Sequence, residues 1–159
     1  MNLFVDIGVY LKLRLVTYYT IRVQGEELSE TDKFFKRFMN SAYAKDLGNI
    51  KYWLKDKIGE ERGASERYFR SEKRAHALPP PIPSSDLRLY CWRCSDSVVL
   101  LGNGGVKTSQ KAKDSPDCYP HFELMNAVVK EIKRRRLSCS DFPDDDTTIR
   151  LTLNLETHV

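Results

Sequence analysis

The sequence predicts an α+β fold: a mainly antiparallel sheet packed against two N-terminal helices and one C-terminal helix. Three observations predict it. Alternating apolar and polar residues recur near both ends and in the middle of the chain, at Val9 to Leu15, Leu87 to Cys91 and Ile149 to Leu155. That period of two is the mark of a half-buried strand. Between them, apolar residues at helical spacing mark two consecutive helices and then a third. Finally, 159 residues without an internal repeat are enough for one core, without help from metals or disulfides.

Taken in order, residues 3 to 23 read as extended, closed by a turn at Gly25-Glu26. Ser29 is a helix N-cap with Asp32 three residues on. Phe34, Phe35, Phe38, Met39 and Ala42 give the first helix its apolar stripe. A second helix is expected over Lys45 to Ile58, with Leu47, Ile50, Leu54 and Ile58 on one face and Gly59 as its stop. Gly63 to Arg74 reads as a short helix or an irregular basic strap, and the Pro79 to Pro83 run as a polyproline spacer. Leu87, Leu89 and Cys91 then share one strand face, and Arg88, Tyr90 and Trp92 the other. Ser95-Asp96-Ser97 turns the chain into the apolar run Val98 to Leu101.

Gly102, Gly104 and Gly105 are expected to break that run and leave Lys107 projecting from a strand end. A polar loop, Thr108 to Cys118, leads to a helix opened by Pro120. Its stripe is Phe122, Met125, Val128, Val129 and Ile132, and Lys133 to Arg136 suit its C-terminal dipole. Thr148 to Glu156 is the last strand. The chain is read as one domain, 1–159. Within it, 1–16 is readable as an N-terminal extension, 17–78 as strand, helices and strap, 79–86 as spacer, and 87–159 as hairpin, helix and final strand.

The 26 Lys and Arg exceed the 22 Asp and Glu by four, and unevenly. Residues 62–76 and 107–113 are basic, whereas 141–146 hold four Asp. This asymmetry permits a polyanionic partner. No apolar stretch has the length of a membrane span, since Lys12, Arg14 and Arg22 punctuate the N-terminal one, and Asp6 interrupts anything like a secretory signal. The expectation is a cytoplasmic protein with no membrane partner and four reduced cysteines.

Two motifs carry possible chemistry. Cys91-x-x-Cys94 with Cys118-x-x-His121 has the ligand count of a zinc site. An odd spacing on a strand, however, sends Cys91 and Cys94 to opposite faces, so they are read as buried thiols and no metal is assigned. The segment GNGGVK lacks the spacing of a Walker motif, but glycine-freed amides beside Lys107 suit a phosphate. His76 and His158 are assigned no role, and His121 stands near a helix start.

Two helices, the LRLY strand, the strand-and-loop VVLLGNGGVKTSQKAKDSP and a following helix together resemble the RelE/HigB superfamily of toxins from type II toxin–antitoxin systems. Arg88 matches that family's strand arginine, Lys107-Thr108 its lysine-threonine pair, and Lys111 to Pro116 its polar run, over about residues 17–135. Val106 stands where a second lysine is common. The resemblance implies a RelE-like fold and endoribonuclease cleavage of mRNA, free or on the ribosome, without a metal or other cofactor. It also implies a neutralising antitoxin with a helix-turn-helix. Catalytic roles would fall to Lys107, Arg88 and Arg70 on the phosphate, with Tyr90 or His121 passing a proton. Arg67, Lys111 and Lys113 would track the RNA, and Tyr68 and Trp92 would stack bases. The alternative is a non-catalytic RNA- or protein-binding module, with Tyr90 and Trp92 packing a helix on the sheet.

Overall fold

The computed structural model describes residues 2–81 and 84–155. Its frame is a seven-stranded sheet in the order β3-β4-β5-β6-β2-β1-β7. The strands are β1 (Asn2–Lys12), β2 (Thr17–Val23), β3 (Arg70–Glu72), β4 (Ala75–Leu78), β5 (Leu87–Arg93), β6 (Val98–Val106) and β7 (Ile149–Asn154). Every neighbouring pair is antiparallel except β2 and β6, which run parallel. Helices α1 (Glu30–Phe38) and α2 (Ala44–Tyr52) cover one face, and α3 (Tyr119–Arg134) covers the other. The α+β class and the mostly antiparallel sheet therefore stand as expected.

Two cores follow from this layering. On the α1/α2 side, Phe34, Phe38, Leu47, Ile50 and Leu54 pack on Tyr18, Leu87, Leu89, Cys91 and Val99. On the other side, Met125, Val128, Val129 and Ile132 of α3 pack on Ile7, Ile21, Tyr90, Trp92 and Leu100. β5 is consequently buried on both faces. The alternation of Leu87 to Trp92 assigned its two faces as expected. What the alternation could not show is that α3 closes over the Arg88, Tyr90 and Trp92 face.

Ser29 caps α1 as expected, its hydroxyl accepting the Asp32 N–H at 3.1 Å. The second helix does not stop at Gly59. It widens into a π-helical stretch, Trp53–Arg62, and ends at Gly63 with a positive φ of 81°. Carbonyls in this stretch are claimed from outside: Leu54 O by Tyr18 Oη, Gly59 O by Leu15 N, and Glu60 O by Arg14 Nη2. Such diversion favours the wider turn over a regular helix.

Four further expectations are corrected. The strap at 63–74 is instead a 3₁₀ turn, Glu66–Tyr68, followed by the β3–β4 hairpin, whose turn puts Lys73 at φ 65°. The start of the proline segment is no solvated spacer. Pro79 and Pro80 are buried and their carbonyls accept Arg70; Ile82 and Pro83 lie outside the described residues, as do Glu156 and His158. Residues 2–12 are no appendage, because β1 pairs with β2 on one side and β7 on the other. And not all cysteines are free: Cys94 and Cys139 form a disulfide, joining the end of β5 to the segment after α3, while Cys91 and Cys118 are buried thiols.

The glycine run is also corrected. Gly102, Gly104 and Gly105 do not end the strand; β6 continues to Val106. Their role is close approach. A Cβ on Gly102 would meet Met125 Cε at 2.5 Å, one on Gly104 would run into the Arg88 carbonyl, and one on Gly105 into Asp117. We therefore expect Gly104→Ala to destabilise the fold by about 3 kcal/mol or more, since backbone cannot yield as a side chain can. Gly48→Ala, on an open face of α2 with nothing within 4 Å, should instead stabilise by about 1 kcal/mol. Urea midpoints of the two variants check both signs.

Candidate phosphate-binding site

Strand pairing brings the sequence-nominated cations together. Arg70 faces Ala77 across β3–β4, Ala77 faces Tyr90 across β4–β5, and Arg88 faces Gly105 across β5–β6. Partners directly opposite share a face, as do residues two apart on a strand. Arg70, Glu72, Arg88 and Tyr90 therefore lie on the α3 side of the sheet, and Lys107 continues that face just beyond β6.

The loop after β6 is pinned so that Lys107 stays there. Lys107 N donates to Asp86 O at 2.7 Å. The Asp117 carboxylate accepts Val106 N at 2.7 Å and pairs with Arg37 at 2.7 Å. The fully buried Ser115 hydroxyl accepts the N–H groups of Thr108 and Ser109. Two adjoining hollows meet at Lys107 and Gln110. One is lined by Asp86, Arg88, Thr108 and Ser109, the other by Glu72, Lys73, Lys111, Lys113, Tyr119 and Phe122.

Charge in this corner is only partly matched. Lys107 Nζ lies 4.0 Å from Glu72 Oε1. Arg70 donates from Nε to Pro79 O at 2.8 Å and from Nη2 to Pro80 O at 3.2 Å. Burial, and then the neighbouring Arg88 guanidinium, push the Arg70 pKa down from its ordinary value. Arg88 is 8% exposed. Its Nη1 donates to Ser85 O and to Leu87 O, while its buried Nε–H has no partner. An unmatched buried donor costs about 1–3 kcal/mol, more when charged. The two hollows thus carry five cations, Arg88, Lys73, Lys107, Lys111 and Lys113, against three carboxylates, Asp86, Glu72 and Glu123, with Arg70 beside Arg88 behind them and an unused charged donor on Arg88. That set suits an anion, and a phosphate in particular.

Not every nominated residue belongs to it. Lys111 and Lys113 are exposed on the rim of the second hollow. Arg67 is exposed, but it lies against Tyr68, which belongs to the core on the α1/α2 side. Trp92 is buried under α3 and Tyr68 is buried too, so neither offers a ring face for stacking. Tyr90 is wholly enclosed beside the Cys118 thiol, and burial pushes its pKa far up, which is wrong for a proton shuttle open to substrate. His121 lines neither hollow and has Glu30, Asp117, Arg37 and Lys33 for charged neighbours. The four residues of the zinc-like pattern do not converge: Cys91 is in the α1/α2 core, Cys94 is in the disulfide, and Cys118 is in the α3 core.

Glu72 is the residue sequence reasoning missed. Its signal was the alternation Arg70-x-Glu72 and Ala75-x-Ala77 about a Lys73-Arg74 turn. Alanine is a poor marker of a strand, so the hairpin is faint.

A hollow larger than either of those at Lys107 lies elsewhere. It is lined by Asp6, Glu27, Asp32 and Asp144 to Asp146, with Arg22. Its acidic walls repel the ligand the cationic corner attracts, so chemistry rather than size selects the site. Asp144 to Asp146 of the acidic 141–146 loop form one wall of this hollow.

No protein-family model, no curated protein and no solved structure matches this chain. Among the described residues, no helix is long and apolar enough to cross a membrane.

The two described histidines give a pH signature. His76 Nδ1 accepts the Arg93 N–H at 3.1 Å, which requires the ring to be unprotonated there. Burial, then Arg93, lowers its pKa, and burial lowers that of His121. A histidine with a depressed folded pKa binds fewer protons folded than unfolded. Its contribution is complete above the unfolded value of about 6.5 and is lost as pH falls. Stability should therefore decline between pH 7.5 and 5. His76→Asn, which keeps an acceptor, should reduce the slope, as read by urea unfolding at each pH.

Proposed function

We propose that the protein is a metal-independent endoribonuclease of the RelE-like toxin class that its sequence resembles, cleaving single-stranded mRNA. The observation that carries this reading is the meeting of Arg70, Glu72, Arg88 and Lys107 on one face at the β5–β6 end of the sheet. Cleavage of an RNA strand by its own 2′-hydroxyl forms the 2′-O–P bond and breaks the P–O5′ bond. It leaves a 2′,3′-cyclic phosphate and a 5′-hydroxyl. The reaction needs a base for the 2′-proton and positive charge where negative charge builds on the phosphoryl oxygens.

Glu72 takes the proton. Arg70, Arg88 and Lys107 hold the phosphate and stabilise its transition state, and the leaving oxygen takes a proton from water in the open hollow. Lys111 and Lys113, on the rim beside Lys107, hold the flanking backbone. A neutralising antitoxin acts by covering the Lys107 hollows, and the ribosome is one place where the substrate is presented.

A second reading is favoured by a specific observation. Tyr90 is enclosed, and the Arg70 guanidinium is committed to two carbonyls. Both suit a module that binds RNA phosphates without cleaving them.

Purified wild type, Glu72→Gln and Lys107→Ala separate the two. The nuclease reading expects Glu72→Gln to lose about 10²- to 10⁴-fold in cleavage while still binding RNA. It expects Lys107→Ala to lose both activities, together with growth arrest on induced expression in bacteria. Wild type that binds RNA but leaves it intact would establish the binding module instead. Wild type that does neither would remove both.

A further inference from the structure

Stripped of Trp92 and Tyr68, which are buried, the cationic corner still needs a surface for bases if its ligand is a single strand. Tyr119 provides one. It is the first residue of α3, 37% exposed, and lines the hollow that Lys73, Lys107, Lys111 and Lys113 share. Its ring lies nearly parallel to that of Phe122, at 29° and 6.5 Å between centroids. Phe122 in turn packs edge-on against the fully buried Tyr90, with centroids 6.0 Å apart. The exposed ring is thus backed by a row of aromatics anchored in the core, beside the strand face that carries Arg88.

Tyr119 is held against Phe122 yet keeps 37% of its surface open to solvent where it lines the hollow. The hollow also holds Glu72 and Glu123, but its four lysines outnumber them, and a ring fixed in place beside such an excess of cations is what unpaired nucleotides use, since every base has a face to stack and each linkage a phosphate to pair.

We infer that Tyr119 is a stacking platform for an unpaired base of the RNA whose phosphate sits at Lys107, and that it makes the site select single strands. This deepens the RNA reading above and rests on it. Tyr119 is a specificity residue. The base of a paired nucleotide is already stacked and cannot lie on its ring, so duplexes are left with backbone attraction alone.

The test uses two fluorescent hexamers that cannot be cleaved. One is 2′-O-methyl RNA, and the other is an abasic sugar-phosphate chain of the same length and charge. Anisotropy titrations of the whole protein are expected to show wild type preferring the base-bearing hexamer by roughly 5- to 150-fold, the range for one base–aromatic stack. Tyr119→Ala should lose that preference while keeping its affinity for the abasic chain. Tyr119→Phe should restore it. Circular dichroism melts check that the variants stay folded, as an exposed position predicts. Equal affinity of wild type for the two hexamers, or an undiminished preference in Tyr119→Ala, would overturn the inference while leaving the phosphate site standing. No binding of either hexamer by wild type would sink the RNA reading, and this inference with it.

Discussion

The placement of every candidate group depends on how closely β5 and the 116–118 segment lie on β6. Gly104 has no side chain, so the Arg88 carbonyl rests on it; the β5–β6 register shifts between Leu89 and Cys91 just there. Gly105 likewise leaves room for Asp117, whose carboxylate then ties Val106 N to Arg37 on the opposite side of the sheet. With both contacts made, Lys107 leaves the strand in one direction, its N–H held by Asp86. A side chain anywhere along this seam would push apart the strands that put Arg88 and Lys107 on one face. Backbone contact, rather than an ion pair, therefore sets the geometry of the cations.

Electrostatics then divides the surface. The hollows at Lys107 are lined by Arg88, Lys73, Lys111 and Lys113 and by fewer carboxylates, Asp86, Glu72 and Glu123, while in the hollow between β1, β2 and the 144–148 segment carboxylates outnumber the single Arg22. In the acidic wall, Asp32 and Asp144 to Asp146 are exposed and solvated by water at little cost, and Asp6 is paired with Arg150. The cations of the corner differ, because Arg88 is almost wholly buried and Lys107 and Glu72 are mostly covered. Burying charge is expensive unless it is paired, and Asp86, Glu72 and Glu123 are outnumbered by the five cations lining the same hollows. A ligand phosphate supplies the missing negative charge in a partly desolvated setting, where each charge-assisted hydrogen bond is worth about 1.5–3 kcal/mol. A fold that carries such an imbalance invites an anion in a way that exposed lysines alone do not.

Much of this was legible in the residues. Alternation assigned the faces of β5 correctly, and the stripe expected of α3 packs; of the stripe expected of α1, Phe34 and Phe38 are buried and Phe35 partly so, whereas Met39 and Ala42 lie past the end of the helix and are exposed. Lys107 stands at a strand end as its glycine-rich approach suggested. Three things were hidden for physical reasons. Glycine marks both tight turns and close approach, and only the neighbour across the gap tells them apart, so the strand at 102–106 looked like a loop. The period of a strand says which residues share a face but not what covers it, so Tyr90 and Trp92 stayed open between ligand and helix, and α3 has taken them. Pairings distant in sequence leave no local trace. Cys94–Cys139 and the meeting of Glu72 with Lys107 belong to that class.

If Arg88 and its neighbours receive a phosphate, the donor left unmatched reports it directly. In an NMR spectrum of the arginine side chains, the Arg88 Nε–H resonance, assigned by its loss in Arg88→Lys, is followed as an uncleavable 2′-O-methyl oligonucleotide is added. The account predicts a saturable downfield shift of that proton with slowed exchange against water, abolished in Lys107→Ala. An Arg88 Nε–H that stays unmoved while the oligonucleotide binds would contradict it.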